Sequence, residues 1–234
     1  MGINTLTFNN VNSKTYGVYI SGTGAFNSPA RDREMIEVPG RNGDIIIDHG
    51  RYKNIEVTYP AFIIKNFKAN LTAWANKLLE PLNYVRLSDT YHPDEFRLAV
   101  LSQGMVVDPV RWLAAGSFDI VFNCRPERFL TNGEVVMSFN ASGNITNATD
   151  MPSRPLIRVY GDGSITVNGT EIEIAPHSYT YIDIDCDLQE AFFGSQNANS
   201  YISLDEFPKL DSGANSIVLD GVTRVEITPR WWRL

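Results

Sequence analysis

Asp183, Asp185 and Asp187 alternate with Ile182, Ile184, Cys186 and Leu188. On a strand this period puts the carboxylates on one face and the apolar side chains on the other. Clustered carboxylates are what a hard cation such as calcium takes. Spaced along a strand at ~3.3 Å per residue, however, such a row offers one ion two neighbours at most. Burying the opposite face is worth about 1.5–3 kcal/mol per large side chain, which accounts for the pattern without a ligand. The expectation is a solvated acidic face. His177 would be the natural partner of a metal-dependent hydrolase built on Asp183 and Asp185. Yet His49, His92 and His177 have no Cys or His at metal-ligand spacing, so no metal site is assigned.

The other candidates for chemistry are isolated. Cys124 stands beside Arg125, a neighbour able to lower a thiol pKa, but its place at the end of an alternating strand reads as buried and inert. Cys186 projects to the apolar face of its strand. Gly22-x-Gly24 lacks the third glycine and the helix of a dinucleotide site and reads as a turn. No serine sits in Gly-x-Ser-x-Gly. Asn140, Asn144, Asn147 and Asn168 begin Asn-x-Ser/Thr triplets, which matter only in a secreted protein. Trp231 and Trp232, flanked by Arg230 and Arg233, are the residue types of interface anchors and of sugar-stacking platforms. Alternation sends one of them to the core, and Tyr201 joins them as a candidate partner or glycan contact. No catalytic group and no cofactor site emerges, so the chain reads as a non-enzyme.

Its 234 residues suit two domains of ordinary size, and 43% hydrophobic against 20% charged residues lets each close a core. No run of about 18 apolar residues offers a membrane span. The opening Met-Gly-Ile-Asn-Thr-Leu-Thr-Phe has no basic and apolar leader pattern, and two cysteines make no disulfide scaffold. These features predict an origin in the cytoplasm. Residues 1–125 hold 13 Lys/Arg and 12 Asp/Glu, a net +1, and residues 126–234 hold 7 and 15, a net −8. Neither half has the basic excess that gripping nucleic acid requires.

Strand signals dominate. Tyr16–Ile20, Met35–Val38, Ile45–Ile47 and Asn54–Ile64 read as strands in the first half, with Pro60 marking an edge or a bulge. Asn42-Gly43 predicts a two-residue hairpin turn. One helix is expected over Ala69–Glu80, with Leu71, Trp74, Leu78 and Leu79 as its apolar stripe, Asn66 or Asn70 as its cap and Pro81 as its stop. Tyr84–Leu87, Phe96–Ser102, Met105–Val107 and Gly116–Asn123 follow as strands. The polar stretch Ser138–Ser153 looks like a linker, but Glu134–Phe139 is already a β run, so the boundary is placed near Pro126–Thr131. Beyond it, short strands separated by Gly161-Asp162-Gly163, Asn168-Gly169, Asp211-Ser212-Gly213 and Asp220-Gly221 predict a β-sandwich.

Five blocks, in order, resemble phage distal tail (Dit) proteins of long, non-contractile-tailed siphophages and their prophages. They are Pro39-Gly40-Arg41-Asn42-Gly43-Asp44, Arg86-Leu87-Ser88-Asp89 through Arg97-Leu98-Ala99, and Phe118 to Arg128. Pro155 to Gly161 with Tyr181-Ile182-Asp183 follows, and Glu206-Phe207-Pro208-Lys209-Leu210 through Trp231-Trp232 closes the series. The resemblance implies a mainly β chain with one α-helix in its N-domain. Residues 1–129 would form a ring-forming, tail-tube-like domain, and residues 130–234 a galectin-like β-sandwich. It implies a homo-hexameric baseplate hub at the virion tail tip, joining the tail-tube protein to the tail-tip protein and, in many phages, carrying receptor-binding proteins. DNA would pass through the central channel without specific binding, and no membrane is involved. Gly40, Arg41, Asn42, Gly43 and Asp44 then become candidates for the ring lumen or its subunit contacts. The alternative is a carbohydrate-binding module whose C-terminal sandwich meets host glycans through Tyr201, Trp231 or Trp232. The carbohydrate-binding insertions of longer family members have no counterpart of that length here.

Overall fold

The structure, a computed structural model, describes residues 3–22, 27–104, 107–110 and 115–234. The Gly24 end of the Gly22-x-Gly24 turn and the first two residues of the expected Met105–Val107 strand lie outside them. The chain divides into two compact units that meet in sequence at Arg128 and Phe129, and both are built mainly of β-strands.

In the first unit an antiparallel sheet runs in the order Val11–Asn12, Leu6–Phe8, Val85–Asp89, Glu95–Leu101, Ala115–Cys124, Ile55–Ile63, Val18–Ile20. Its two ends meet, because the Ile20 N–H donates to the Asn4 carbonyl at 3.0 Å. Strict alternation sends Ile55, Val57, Tyr59, Ala61 and Ile63 inward to meet Phe118, Ile120 and Phe122. Pro60 is interior to the sheet, opposite Asp119, so neither an edge nor a bulge explains it. Its carbonyl accepts from the Ser21 N–H, on the side where the three-residue strand Val18–Ile20 runs out. The proline nitrogen faces that same side and needs no ladder partner there. The expected strand over Tyr16–Ile20 is instead a 3₁₀ turn at Ser13–Tyr16 followed by Val18–Ile20, with left-handed Gly17 between them (φ 62°).

The helix covers Phe67–Leu79 and buries Phe67, Trp74 and Leu78, at i, i+7 and i+11. Leu79, expected in that stripe, is 64% exposed. Asn66 caps the helix in a left-handed conformation without a side-chain bond, and Asn70 donates to the Lys65 carbonyl at 3.0 Å.

The second unit stacks two sheets. One runs Met137–Phe139, Arg224–Thr228, Leu156–Tyr160, Ile182–Asp185, Glu190–Phe193, Gln196–Asn197. The other runs Gly143–Asn147, Gly213–Asp220, Gly163–Val167, Thr170–Ile174, Ile202–Ser203. Their facing sides supply Ile145, Ile157, Val159, Ile165, Val167, Ile172, Ile182, Ile184, Ile217, Val225 and Ile227, nearly all fully buried. β-Branched side chains suit such a pleated, two-sided core. The polar stretch read as a linker is two strands of this sandwich. Asn147, 2% exposed, donates to the Met151 and Leu210 carbonyls and accepts from Thr149. Asn215, fully buried, bonds the Ile145, Asp211 and Gly213 carbonyls and the Asp211 N–H. Each amide therefore holds a loop by replacing its missing backbone partners.

The aspartate row is not a solvated face. Asp183 and Asp185 are each 4% exposed. Arg158 grips Asp183 with two bonds of 2.7 and 2.9 Å, and Arg230 grips Asp185 with two of 2.7 Å. Fork-to-carboxylate geometry of this kind satisfies both oxygens at once. Burial alone would push the Asp185 carboxyl up. The Arg230 guanidinium, together with the Leu188 and Asp187 N–H groups, outweighs it and holds the carboxyl below its ordinary value. Arg230 reaches this position from a left-handed backbone (φ 57°).

Two stability predictions follow from this packing. A methyl at Gly133 would stand 2.3 Å from the Trp231 nitrogen, in the 3₁₀ turn that accepts the Arg230 N–H. Gly133→Ala should therefore cost about 1–3 kcal/mol in urea unfolding. Asp185→Asn leaves Arg230 facing a neutral amide, and should cost about 2–3 kcal/mol at neutral pH. Because the folded carboxyl lies below its unfolded value, its contribution is complete above about pH 4 and fades as pH falls through the folded value. The melting-temperature gap between the wild type and Asp185→Asn should thus be widest near neutrality and close in acid.

Candidate assembly site

Arg31–Ile36 and Ile45–Tyr52 pair with each other, and with no other strand among the described residues. The register sets Arg33 opposite Asp48, Glu34 opposite Ile47, Met35 opposite Ile46 and Ile36 opposite Ile45, with a bulge between Arg31 and Arg33. Met35 and Ile46 therefore share one face of the ribbon, while Ile36, Ile45 and Ile47 share the other. All five are exposed, Met35 by 59% and Ile46 by 55%. A hairpin of two strands has no interior and is marginal alone in water. Covering these five half-exposed side chains would be worth roughly 5 kcal/mol.

The base of the ribbon is charged. Asp48 accepts from Arg31 at 2.8 Å and from Arg33 at 3.1 Å, and Asp32 pairs with Arg51 at 2.8 Å and Lys53 at 3.4 Å. The Arg31 bond, helped by the Gly50 N–H, holds the Asp48 carboxyl far below its usual range. Arg31 also donates to the Tyr52 hydroxyl at 3.2 Å and lies over its ring. Exposed pairs of this kind add little stability each. They do set the register of a ribbon that no core pins.

The connection differs from the expected two-residue turn. Residues 37–44 link the strands, and the tight turn is Val38-Pro39-Gly40-Arg41, closed by the Arg41 N–H to the Val38 carbonyl at 3.1 Å. Proline second and a left-handed glycine third (φ 81°) are the residues of a type II turn. Gly43 also has positive φ, but Asn42 does not, which excludes the mirror-image turn. Gly40, Arg41, Asn42, Gly43 and Asp44 thus form the exposed tip of the ribbon. At Asn168-Gly169 both residues do have positive φ, and there the two-residue turn forms.

The remaining candidates disperse. Trp231 is 5% exposed and packs in the sandwich core. Trp232 is half-buried, its indole N–H donating to the Pro152 carbonyl at 2.9 Å. Tyr201 belongs to a run of ring contacts, Tyr160–Tyr181–Phe193–Tyr179–Tyr201, with Arg224 over Tyr160 and Arg158 over Tyr181 at 4.0 Å each. His177 packs against Tyr179 and Tyr201. Tyr201 also lines a cavity of ≈ 480 Å³ with Glu171, Glu173, Asp220, Ser164 and Ser203. Burial pushes both the Cys124 and the Cys186 thiol up to about 12, so neither is a thiolate at neutral pH. Sequence reasoning missed the ribbon's apolar faces. The signal was present in Ile45-Ile46-Ile47, where a run without polar alternation reads as a buried strand.

No protein-family model matches the chain, and no curated protein sequence matches it. Solved structures do. The crystal structure of the phage SPP1 Dit protein, described as a paradigm of the hub adsorption apparatus in phages infecting Gram-positive bacteria, superposes with a TM-score of 0.72 at 12% identity. That match covers 100% of both chains. A chain of the phage P2 baseplate in its calcium-activated conformation gives 0.56 at 10% identity over 97% of each chain. The strontium-activated form gives 0.54 at 11% identity over 100% of this chain and 99% of that one. Over its whole length, then, this chain has the mainly β fold of a siphophage Dit baseplate-hub protein.

Proposed function

We propose that this chain is a distal tail protein whose copies close into a hexameric ring at the virion tail tip, a structural hub without enzymatic activity. The observation that carries this reading is the ribbon Arg31–Tyr52, whose isoleucines and methionine lie exposed on both faces. A second copy of the chain is the occupant best matched to it, since head-to-tail contacts repeated by rotation close a ring. In that ring the first unit is the tail-tube-like domain bordering the channel, and its near-neutral charge lets DNA pass without being held. The second unit is the galectin-like sandwich, and the ring links the tail-tube protein to the tail-tip protein and offers a seat for receptor-binding proteins. The hub role printed for the SPP1 protein supports this assignment.

The test is solution mass and negative-stain imaging of the purified chain, alone and with the adjoining tail proteins. A particle of about six times 26.2 kDa with a central hole is expected. Ile46→Lys should weaken assembly roughly tenfold or more while leaving the urea unfolding of the unassembled chain unchanged, because among the described residues Ile46 belongs to no core. A wild-type chain that stays monomeric with both partners supplied would end the proposal.

A second reading has one observation in its favour. The Tyr201 cavity joins an aromatic ring to carboxylate and hydroxyl acceptors, the chemistry that recognises a neutral or amino sugar. Calorimetry against host wall polysaccharide should show binding that Tyr201→Ala removes. Since Trp231 is core, it takes no part in such a site. Heat absent for the wild type would reject this reading and leave the ring untouched.

A further inference from the structure

Three Asn-Gly pairs occur in the sequence, Asn42-Gly43, Asn132-Gly133 and Asn168-Gly169, and the fold holds two of them and leaves one free. Asn168 is clamped. Its amide donates to Asn215 Oδ1 at 2.6 Å and to the Lys209 carbonyl at 3.3 Å, its own Oδ1 accepts the Ser216 N–H at 3.0 Å, and its backbone is left-handed (φ 50°). Asn132 lies in the 3₁₀ turn Thr131–Glu134, where its carbonyl accepts the Val135 N–H and Gly133 is buried against the Trp231 backbone. Asn42 and Gly43 are both exposed at the ribbon tip. No described residue hydrogen-bonds the Asn42 side chain, and a Cβ built on Gly43 meets nothing within 4 Å.

Asparagine before glycine is chemically special because nothing shields the glycine nitrogen from the preceding side chain. From this contrast we propose that Asn42 is a site of spontaneous deamidation, a modification that alters the tip of the ribbon. The Gly43 backbone nitrogen attacks the Asn42 side-chain carbonyl carbon, and a C–N bond forms. The amide nitrogen leaves as ammonia, taking up the proton that the Gly43 nitrogen gives up. Water then adds to one of the two carbonyls of the succinimide, opening it to aspartate or, through the other carbonyl, to isoaspartate. No electron is gained or lost.

Ring closure needs an Asn–Gly torsion found neither in a left-handed turn nor in a helical one. Asn168 and Asn132 must therefore break their local structure first, whereas Asn42 belongs to no helix or strand and has no left-handed backbone to give up. The product carries one more negative charge beside Asp44, and the isoaspartate form also inserts a methylene into the backbone of the tip. The reaction is independent of what the ribbon binds.

The experiment is peptide mapping by mass spectrometry of the folded, full-length chain held at mildly alkaline pH and body temperature. It follows the mass gain of amide-to-acid conversion, with isoaspartyl methyltransferase labelling to identify the backbone isomer. The Asn42 peptide should convert at least about tenfold faster than the Asn132 and Asn168 peptides, the factor that a net one or two hydrogen bonds imposes. In urea the three should react at comparable rates. Gly43→Ala should slow conversion at position 42, and Asn42→Gln should abolish it there. Equal rates at all three sites in the folded chain would overturn the proposal. So would an Asn42 rate suppressed relative to urea as strongly as the other two.

Discussion

A strand has two faces, and a stable β-protein must find something to put against at least one of them; the two-stranded ribbon Arg31–Tyr52 pairs with no other strand among the described residues, and its apolar side chains lie exposed. Both sheeted units bury one face of their strands. The first sheet meets itself end to end and takes the helix through Phe67, Trp74 and Leu78. The two sheets of the second unit pack their isoleucines and valines against each other. The ribbon instead sets Met35 and Ile46 on one side and Ile36, Ile45 and Ile47 on the other, while Asp32 and Asp48 each pair with two cations at its base. That distribution pairs the charges locally and leaves the apolar half unpaired, which is what an arm made for another surface requires.

The same logic relocates the charge of the acidic half. Two of its fifteen carboxylates, Asp183 and Asp185, are consumed by guanidinium forks on the outer face of their sheet. Arg158 of one fork also lies over the Tyr181 ring, and Arg224, paired with Glu226, lies over Tyr160, so the face is a surface of rings and ion pairs. Exposed acids remain at Glu171, Glu173 and Asp220 on the opposite sheet, and at Asp205 and Glu206. The net −8 of this half is therefore carried by acids other than Asp183 and Asp185, whose charges are matched by Arg158 and Arg230.

What could be read from sequence was whatever is local and periodic. Alternating isoleucines gave the sandwich core, and Trp74 and Leu78 marked the buried stripe of the helix. Asn168-Gly169 made the turn its residues call for. What could not be read depends on partners far along the chain. Asp183 meets Arg158 from 25 residues away and Asp185 meets Arg230 from 45. Asn215 ties together loops up to 70 residues apart. Local signals also compete. Pro39-Gly40 and Asn42-Gly43 both propose a turn within five residues, and the proline, with its fixed φ, takes the tight one. Once Pro39 has turned the chain, Asn42 is left in an open loop, and a dipeptide that looked like structure becomes a free reactive pair.

Fold and function are separable here for a physical reason. A likeness at 12% identity can preserve a fold because alternation, a few turns and core volume are all that the sheets demand. Surfaces obey no such rule, so a partner must be argued from this chain's own exposed residues. The ribbon meets that standard, since its five apolar side chains lie open on both faces and the described residues offer them no cover. Buried thiols held near 12 and carboxylates matched by arginines do not, because each is already satisfied by the fold that contains it. Work done by shape, through an arm that is incomplete alone, is the reading that leaves fewest groups without a cause.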